Sequence, residues 1–255
     1  MRKLLVEYAA HFGLERAAFV AFNDQLRRVA LRQTTEMCDD VGLVAQRLWT
    51  SHHQPSGVPV EHRKELCSIL NWALRTDAEA SLAHAAVIVR GINTLLVGRR
   101  AAAAPVTAAA PVTWPRDGLT WRGGGLPDEH RWFCTVGRKF RVPQLLATSF
   151  GEDVADTFAY RAHDAPMPMP AVKWRVRVDP AGGKTFLRRC KHVNFVANSE
   201  VDDEKEFLFA AYSVFTVTSV TWSAEPTPAT PHVIELEAAV DNKFEPDDLP
   251  LAPWC

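Results

Sequence analysis

Residues 199–220 read SEVDDEKEFLFAAYSVFTVTSV, and the way this stretch folds decides the rest. Glu204 and Glu206 stand two apart at the mouth of an apolar run, Phe207-Leu208-Phe209, and a second run begins at Tyr212. Successive residues of a strand point to opposite faces, so positions i and i+2 share one. The spacing therefore predicts two strands joined by a short turn, with both glutamates on one face of the first. Glu200, Asp202 and Asp203 form an acidic loop leading in. Two carboxylates side by side at a strand edge can serve acid–base chemistry or stabilise a cation. The same pair taken alone also fits a solvated strand start, so its meaning depends on what the chain brings beside it.

Working outward, a period of two recurs. Residues 173–179 alternate strictly, with Trp174, Val176 and Val178 on one side and Lys173, Arg175 and Arg177 on the other. Further strands are predicted at 119–124, 144–150, 191–197, 206–210, 212–222 and 232–239. A helix is expected from Glu152 to about Ala162, its first turn carrying Glu152 and Asp153 as the helix dipole favours. The proline-rich end, EPDDLPLAPWC, reads as irregular.

Upstream the period changes to 3.6. Leu66, Ile69, Leu70, Ala73 and Leu74 make one helical stripe, and Ala85, Ile88, Val89, Ile92, Leu95 and Leu96 another. Phe19, Phe22, Leu26 and Val29 mark an earlier helical region. Between the helical part and the strands lies RRAAAAPVTAAAPVTWP, which can bury no face and reads as a connector. The expected organisation is an α+β protein: a helical N-terminal lobe over residues 1–100, an Ala/Pro-rich connector over 101–117, and a strand-rich lobe over 118–255.

Composition narrows the function. The chain has 255 residues, 47% hydrophobic and 23% charged, with a net charge of −1. That balance advertises neither nucleic acid nor an acidic membrane surface as partner. Five scattered cysteines without a CxxC pair argue against a structural zinc and a disulfide framework, so no metal is expected. His52 and His53 lack an acidic or thiol partner at ligand spacing and read as loop histidines. Glu7, His11, Glu15 and Arg16 interrupt the apolar start, and no run approaches the ~18 apolar residues of a membrane span. An intracellular, reduced protein is the expectation.

Two further motifs precede the glutamates. Thr120-Trp121-Arg122-Gly123-Gly124 sets an arginine beside glycines, where its planar fork suits a phosphate or carboxylate and the glycines admit a close ligand. Leu146-Ala147-Thr148-Ser149-Phe150 ends a strand in two hydroxyls, which could orient a neighbouring carboxylate or cap the following helix.

Arginine, then a hydroxyl-rich strand, then Glu-x-Glu resembles the arginine-specific mono-ADP-ribosyltransferases of the Arg…Ser-Thr-Ser…Glu-x-Glu group, its ecto-enzyme-like branch in particular. The segments LCSILNWALRTDAEASLAHAAVIVRGINTLLVGRR, KHVNFV and EKEFLFAAYSVFTV extend the resemblance to the helical lobe and the strands around the glutamates. The resemblance implies a core of two packed mixed or antiparallel sheets that uses NAD as substrate. It implies ADP-ribose transfer to an arginine of a target protein, with nicotinamide leaving through an oxocarbenium-like transition state.

By the same resemblance Glu206 grips the 2′-hydroxyl of the nicotinamide ribose, and Glu204 holds or deprotonates the acceptor guanidinium. Ser149, Thr148 or both orient the catalytic glutamate within the NAD site. Arg122 meets the NAD phosphates or the adjoining ribose, the Gly123 backbone meets the nicotinamide amide, and Phe158, nine residues past Ser149, stacks on nicotinamide. One departure stands out: the first serine of Ser-Thr-Ser is Ala147 here. An NAD glycohydrolase on the same fold, or an NAD-cleft interaction module of weak activity, are the alternatives it leaves open.

Overall fold

The computed structural model describes residues 1–31, 41–94, 114–115, 117–165, 167–179, 190–196, 199–201 and 205–254. Glu204, Asp202, Asp203, Leu95, Leu96 and most of the 101–117 connector lie outside them. The chain divides into two compact units, one of residues 1–100 with 196–203, the other of 101–195 with 204–255.

The first unit is helical: α1 (Arg2–His11), α2 (Arg16–Leu31), α3 (Val41–Trp49), α4 (Leu66–Thr76) and α5 (Glu79–Asn93). The stripe read from the sequence is the buried face of α4, where Leu66, Ile69, Leu70 and Ala73 are fully enclosed. Ala85, Ile88, Val89 and Ile92 do the same for α5. Helices α3 and α5 cross closely because Gly91 has no side chain; a Cβ there would come within 2.9 Å of the Ala45 Cβ. Within this unit the returning segment is tied down by its backbone, Glu200 N–H donating to Thr50 Oγ1 at 3.0 Å.

The second unit is an eight-stranded mixed sheet with a helix, which makes the whole α+β as expected. Its strands are β1 (Leu119–Gly125), β2 (Lys139–Val142), β3 (Leu146–Ser149), β4 (Ala171–Arg177), β5 (Val193–Phe195), β6 (Glu206–Phe209), β7 (Ser213–Thr221) and β8 (His232–Ala238). They lie in the order β2-β7-β8-β4-β1-β3-β6-β5. Among the described strands, β4 and β8 are the pair that runs parallel. Seven residue pairs join β1 to β4, whereas β1 and β3 share the single pair Trp121↔Ser149. Two sheet halves thus meet at one bridge, and hydrogen bonding runs on through both.

The alternation in β4 sorts the faces. Val172, Trp174 and Val176 are buried on one side. Lys173 projects to the other, its ammonium bonded to Glu152 at 2.8 Å and to Asp156 on α6 (Glu152–His163). That side therefore carries α6. The opposite side is filled by rings: Trp254 packs on Phe133, Phe140 and Trp174. Strand β2, which no sequence pattern announced, fixes the proline-rich end. Arg141 N–H donates to the Pro250 carbonyl at 2.9 Å, and its buried guanidinium donates to the carbonyls of Tyr212, Glu245 and Pro246.

Candidate functional site

The three motifs fall on neighbouring strands: Arg122 on β1, Thr148 and Ser149 on β3, Glu206 on β6. Ser149 is directly opposite Glu206 in the β3–β6 ladder, and Trp121 is opposite Ser149 across the bridge to β1. Paired residues share a face. Trp121, Ser149 and Glu206 therefore form one row, and Gly123, two residues on from Trp121, projects to the same side.

Each position has a local cause. Lys205 adopts φ 43, a left-handed backbone that turns the chain immediately before β6 and makes Glu206 its first residue. Glu206 is 7% exposed, and a carboxylate so enclosed persists only where charge or hydrogen bonds compensate it. Ser149 Oγ accepts from Gly151 N–H at 3.0 Å, which bends the chain from β3 into α6. Thr148, one residue earlier, lies on the other face. Its hydroxyl donates to the Phe207 carbonyl at 2.8 Å and braces β3 against β6.

Arg122 alternates away from Gly123 on β1 and is half-buried. Its Nη1 donates to the Ala147 carbonyl at 2.9 Å, so the guanidinium reaches across the narrow join between β1 and β3. Gly123 lies beneath α6: a Cβ there would sit 1.7 Å from the Ala155 carbonyl oxygen. Phe158 is on α6, its ring 39% exposed with the Arg161 guanidinium 5.2 Å above it. The structure thus gathers Gly123, Ser149 and Glu206 on one face, with Phe158 on the helix covering it. Arg122 and Thr148 start from the opposite face, and Glu204 lies outside the described residues.

One side chain on this face carried no sequence signal. Asn194 on β5 is opposite Leu208 of β6, and Leu208 is opposite Ala147 of β3. Asn194 is fully buried. An amide inside the apolar run KHVNFV matches no motif, and only the strand register shows where it points.

Among the described residues no group of three or more His, Cys, Asp or Glu could hold a metal ion. His52 Nδ1 lies 3.3 Å from Glu65 Oε1 on the surface. Cys134 and Cys190 are buried free thiols, and burial pushes Cys134 up to about 11 despite Arg138 nearby. Among the described residues no helix is long and apolar enough to cross a membrane.

No family model and no curated protein sequence matches this chain. Solved structures do. The Vis toxin, an ADP-ribosyltransferase from Vibrio splendidus, is 16% identical, with a TM-score of 0.51 over 88% of this chain and 83% of its own. The ADP-ribosyltransferase HopU1 of Pseudomonas syringae pv. tomato is 16% identical, with a TM-score of 0.50 over 78% of this chain and 76% of its own. Exoenzyme S of Pseudomonas aeruginosa, solved with human 14-3-3 protein beta and bound to carba-NAD, is 17% identical. Its TM-score is 0.50 over 97% of this chain and 94% of its own. The fold is that of these bacterial ADP-ribosyltransferases.

Proposed function

We propose that this protein is a mono-ADP-ribosyltransferase that takes ADP-ribose from NAD and places it on an arginine of a target protein. The observation that carries this reading is the row Trp121–Ser149–Glu206, which sets a hydroxyl directly beside a buried carboxylate on the face shared with Gly123. A fold shared with ADP-ribosyltransferases supports it, as does a neighbour bound to an NAD analogue.

The chemistry follows from charge. The bond between nicotinamide nitrogen and ribose C1 breaks with its electron pair on nicotinamide, leaving an oxocarbenium-like ribose. Glu206, oriented by Ser149, accepts a hydrogen bond from the ribose 2′-hydroxyl and stabilises that cation. Arg122, held over the β1–β3 join, binds the diphosphate. The Gly123 backbone and the Phe158 ring hold the nicotinamide, while Thr148 keeps β3 and β6 in register. Glu204 draws in the cationic acceptor and takes the proton its guanidinium loses as nitrogen bonds to C1. The buried thiols Cys134 and Cys190 fit action in a reducing, intracellular setting, which is part of this reading.

The same row of Trp121, Ser149 and Glu206 serves a second reading, an NAD glycohydrolase with water as acceptor, because cleavage of the nicotinamide bond is common to both. Incubation with NAD and agmatine, a small guanidine, separates the two. ADP-ribosyl-agmatine formed by the wild type and not by Glu206→Ala supports the arginine-directed transferase. Nicotinamide released without adduct, on agmatine and on arginine-bearing proteins alike, contradicts it in favour of hydrolysis.

A further inference from the structure

Asn194 is 0% exposed, yet both atoms of its side-chain amide, Nδ2 and Oδ1, lack a hydrogen-bond partner among the described residues. A buried amide left unpaired is costly, and native structures keep such groups where something else uses them. Its place in the ladder shows what that is. Ala147, Leu208 and Asn194 form one row across β3, β6 and β5. Glu206 stands two residues before Leu208 on β6, on the same face. Ala147 and Asn194 are therefore the two diagonal neighbours of Glu206, one on each flank. Diagonal neighbours lie roughly 7–8 Å apart at Cα, within reach of a glutamate and an asparagine extended toward each other.

We propose that Asn194 is a second positioning residue of this site, beside Ser149: its amide N–H donates to the Glu206 carboxylate from the β5 side and does the work of the hydroxyl that Ala147 lacks on the β3 side. The inference rests on the transferase reading of Glu206. On β3, Thr148 points to the other face with its proton on the Phe207 carbonyl, so Ser149, directly opposite, is the β3 hydroxyl that reaches Glu206. Hydrogen bonds of this kind are loose in the free enzyme and tighten when substrate draws the carboxylate into place.

The test measures nicotinamide release from NAD by the full chain in four forms: wild type, Asn194→Leu, Ala147→Ser and the double variant. Asn194→Leu is expected to lower kcat roughly 10- to 100-fold, the worth of one hydrogen bond to a charged group, with KM for NAD unchanged within about twofold. Ala147→Ser is expected to change the wild type little and to restore most of the rate in Asn194→Leu. A merely structural asparagine gives no such rescue, because the two positions then act independently. An unaffected Asn194→Leu, or equal effects of Ala147→Ser in both backgrounds, overturns the proposal.

Should Asn194→Leu misfold, the isosteric Asn194→Asp decides. A second carboxylate beside Glu206 raises the pH at which the pair ionises, so the acid limb of the rate profile moves up. An unmoved limb overturns the assignment. A wild type that releases no nicotinamide defeats the transferase reading itself, whereas an active wild type with an indifferent Asn194 defeats only this inference.

Discussion

Ser149 and Glu206 face each other across β3 and β6, the last residue of one strand opposite the first of the other. Both strand ends are pinned, one by the Ser149–Gly151 contact and the other by the left-handed turn at Lys205. Removing the hydroxyl takes away one of these two pins together with the group that orients Glu206. Ser149→Ala is expected to lower the kcat of NAD cleavage by roughly 10- to 100-fold, with about 1 kcal/mol lost in stability from the Gly151 contact. Steady-state kinetics beside a thermal melt check both. A variant with wild-type kcat removes Ser149 from the machinery.

Glu204 precedes Glu206 by two positions and is assigned to the acceptor rather than to NAD. Glu204→Gln should abolish transfer to agmatine while keeping much of the NAD hydrolysis. Nicotinamide and ADP-ribosyl-agmatine followed together by mass spectrometry read both activities at once. Equal loss of the two contradicts the division of labour.

Gly123 is required by packing before any chemistry is considered. With a Cβ 1.7 Å from the Ala155 carbonyl, the obstacle is backbone, and α6 has to lift off β1. Gly123→Ala is expected to cost about 3 kcal/mol. Chemical denaturation measures it, and a loss under about 0.5 kcal/mol contradicts the contact.

How much of this the sequence displayed depended on whether the cause was local. The α4 stripe and the β4 alternation announce themselves because burial on one face imposes a period on neighbouring residues. Arg122, Ser149 and Glu206 lie on three strands that are neighbours in the sheet, an adjacency that no local pattern displays. Strand β2 escaped notice because at four residues its alternation is too short to stand out, and the burial of Arg141 makes sense only once residues 245–250 fold over it. The tightness at Gly123 depends on Ala155, far along the chain on another element. Asn194 acquires meaning only through the β5–β6 register, which no local pattern encodes. The connector and Glu204 fall outside the described residues.

His192 links stability to pH. It is buried, with Nε2 2.7 Å from the Ala239 carbonyl and Nδ1 2.8 Å from Ser213 Oγ. A carbonyl only accepts, so Nε2 bears the proton of the neutral ring, while the Ser213 hydroxyl donates to the Ala210 carbonyl at 2.6 Å. Burial lowers its pKa from 6.5 to about 4, although the Ala239 carbonyl and Asp241 act the other way. The unfolded chain therefore takes up a proton between those values that the folded chain refuses. This contribution is present above pH 6.5 and is lost as pH falls toward 4. The loss amounts to about 2 kcal/mol between pH 7 and pH 4.5. Urea midpoints at the two pH values, compared with His192→Gln, isolate it. An equal pH dependence in both proteins contradicts it.

The central claim is that Glu206 breaks the nicotinamide–ribose bond of NAD. The most direct measurement is nicotinamide release from NAD by purified wild type and Glu206→Ala, with folding of both verified by circular dichroism. The account predicts steady release by the wild type and a loss of about 100-fold or more in the variant. Equal rates from the two proteins would contradict it.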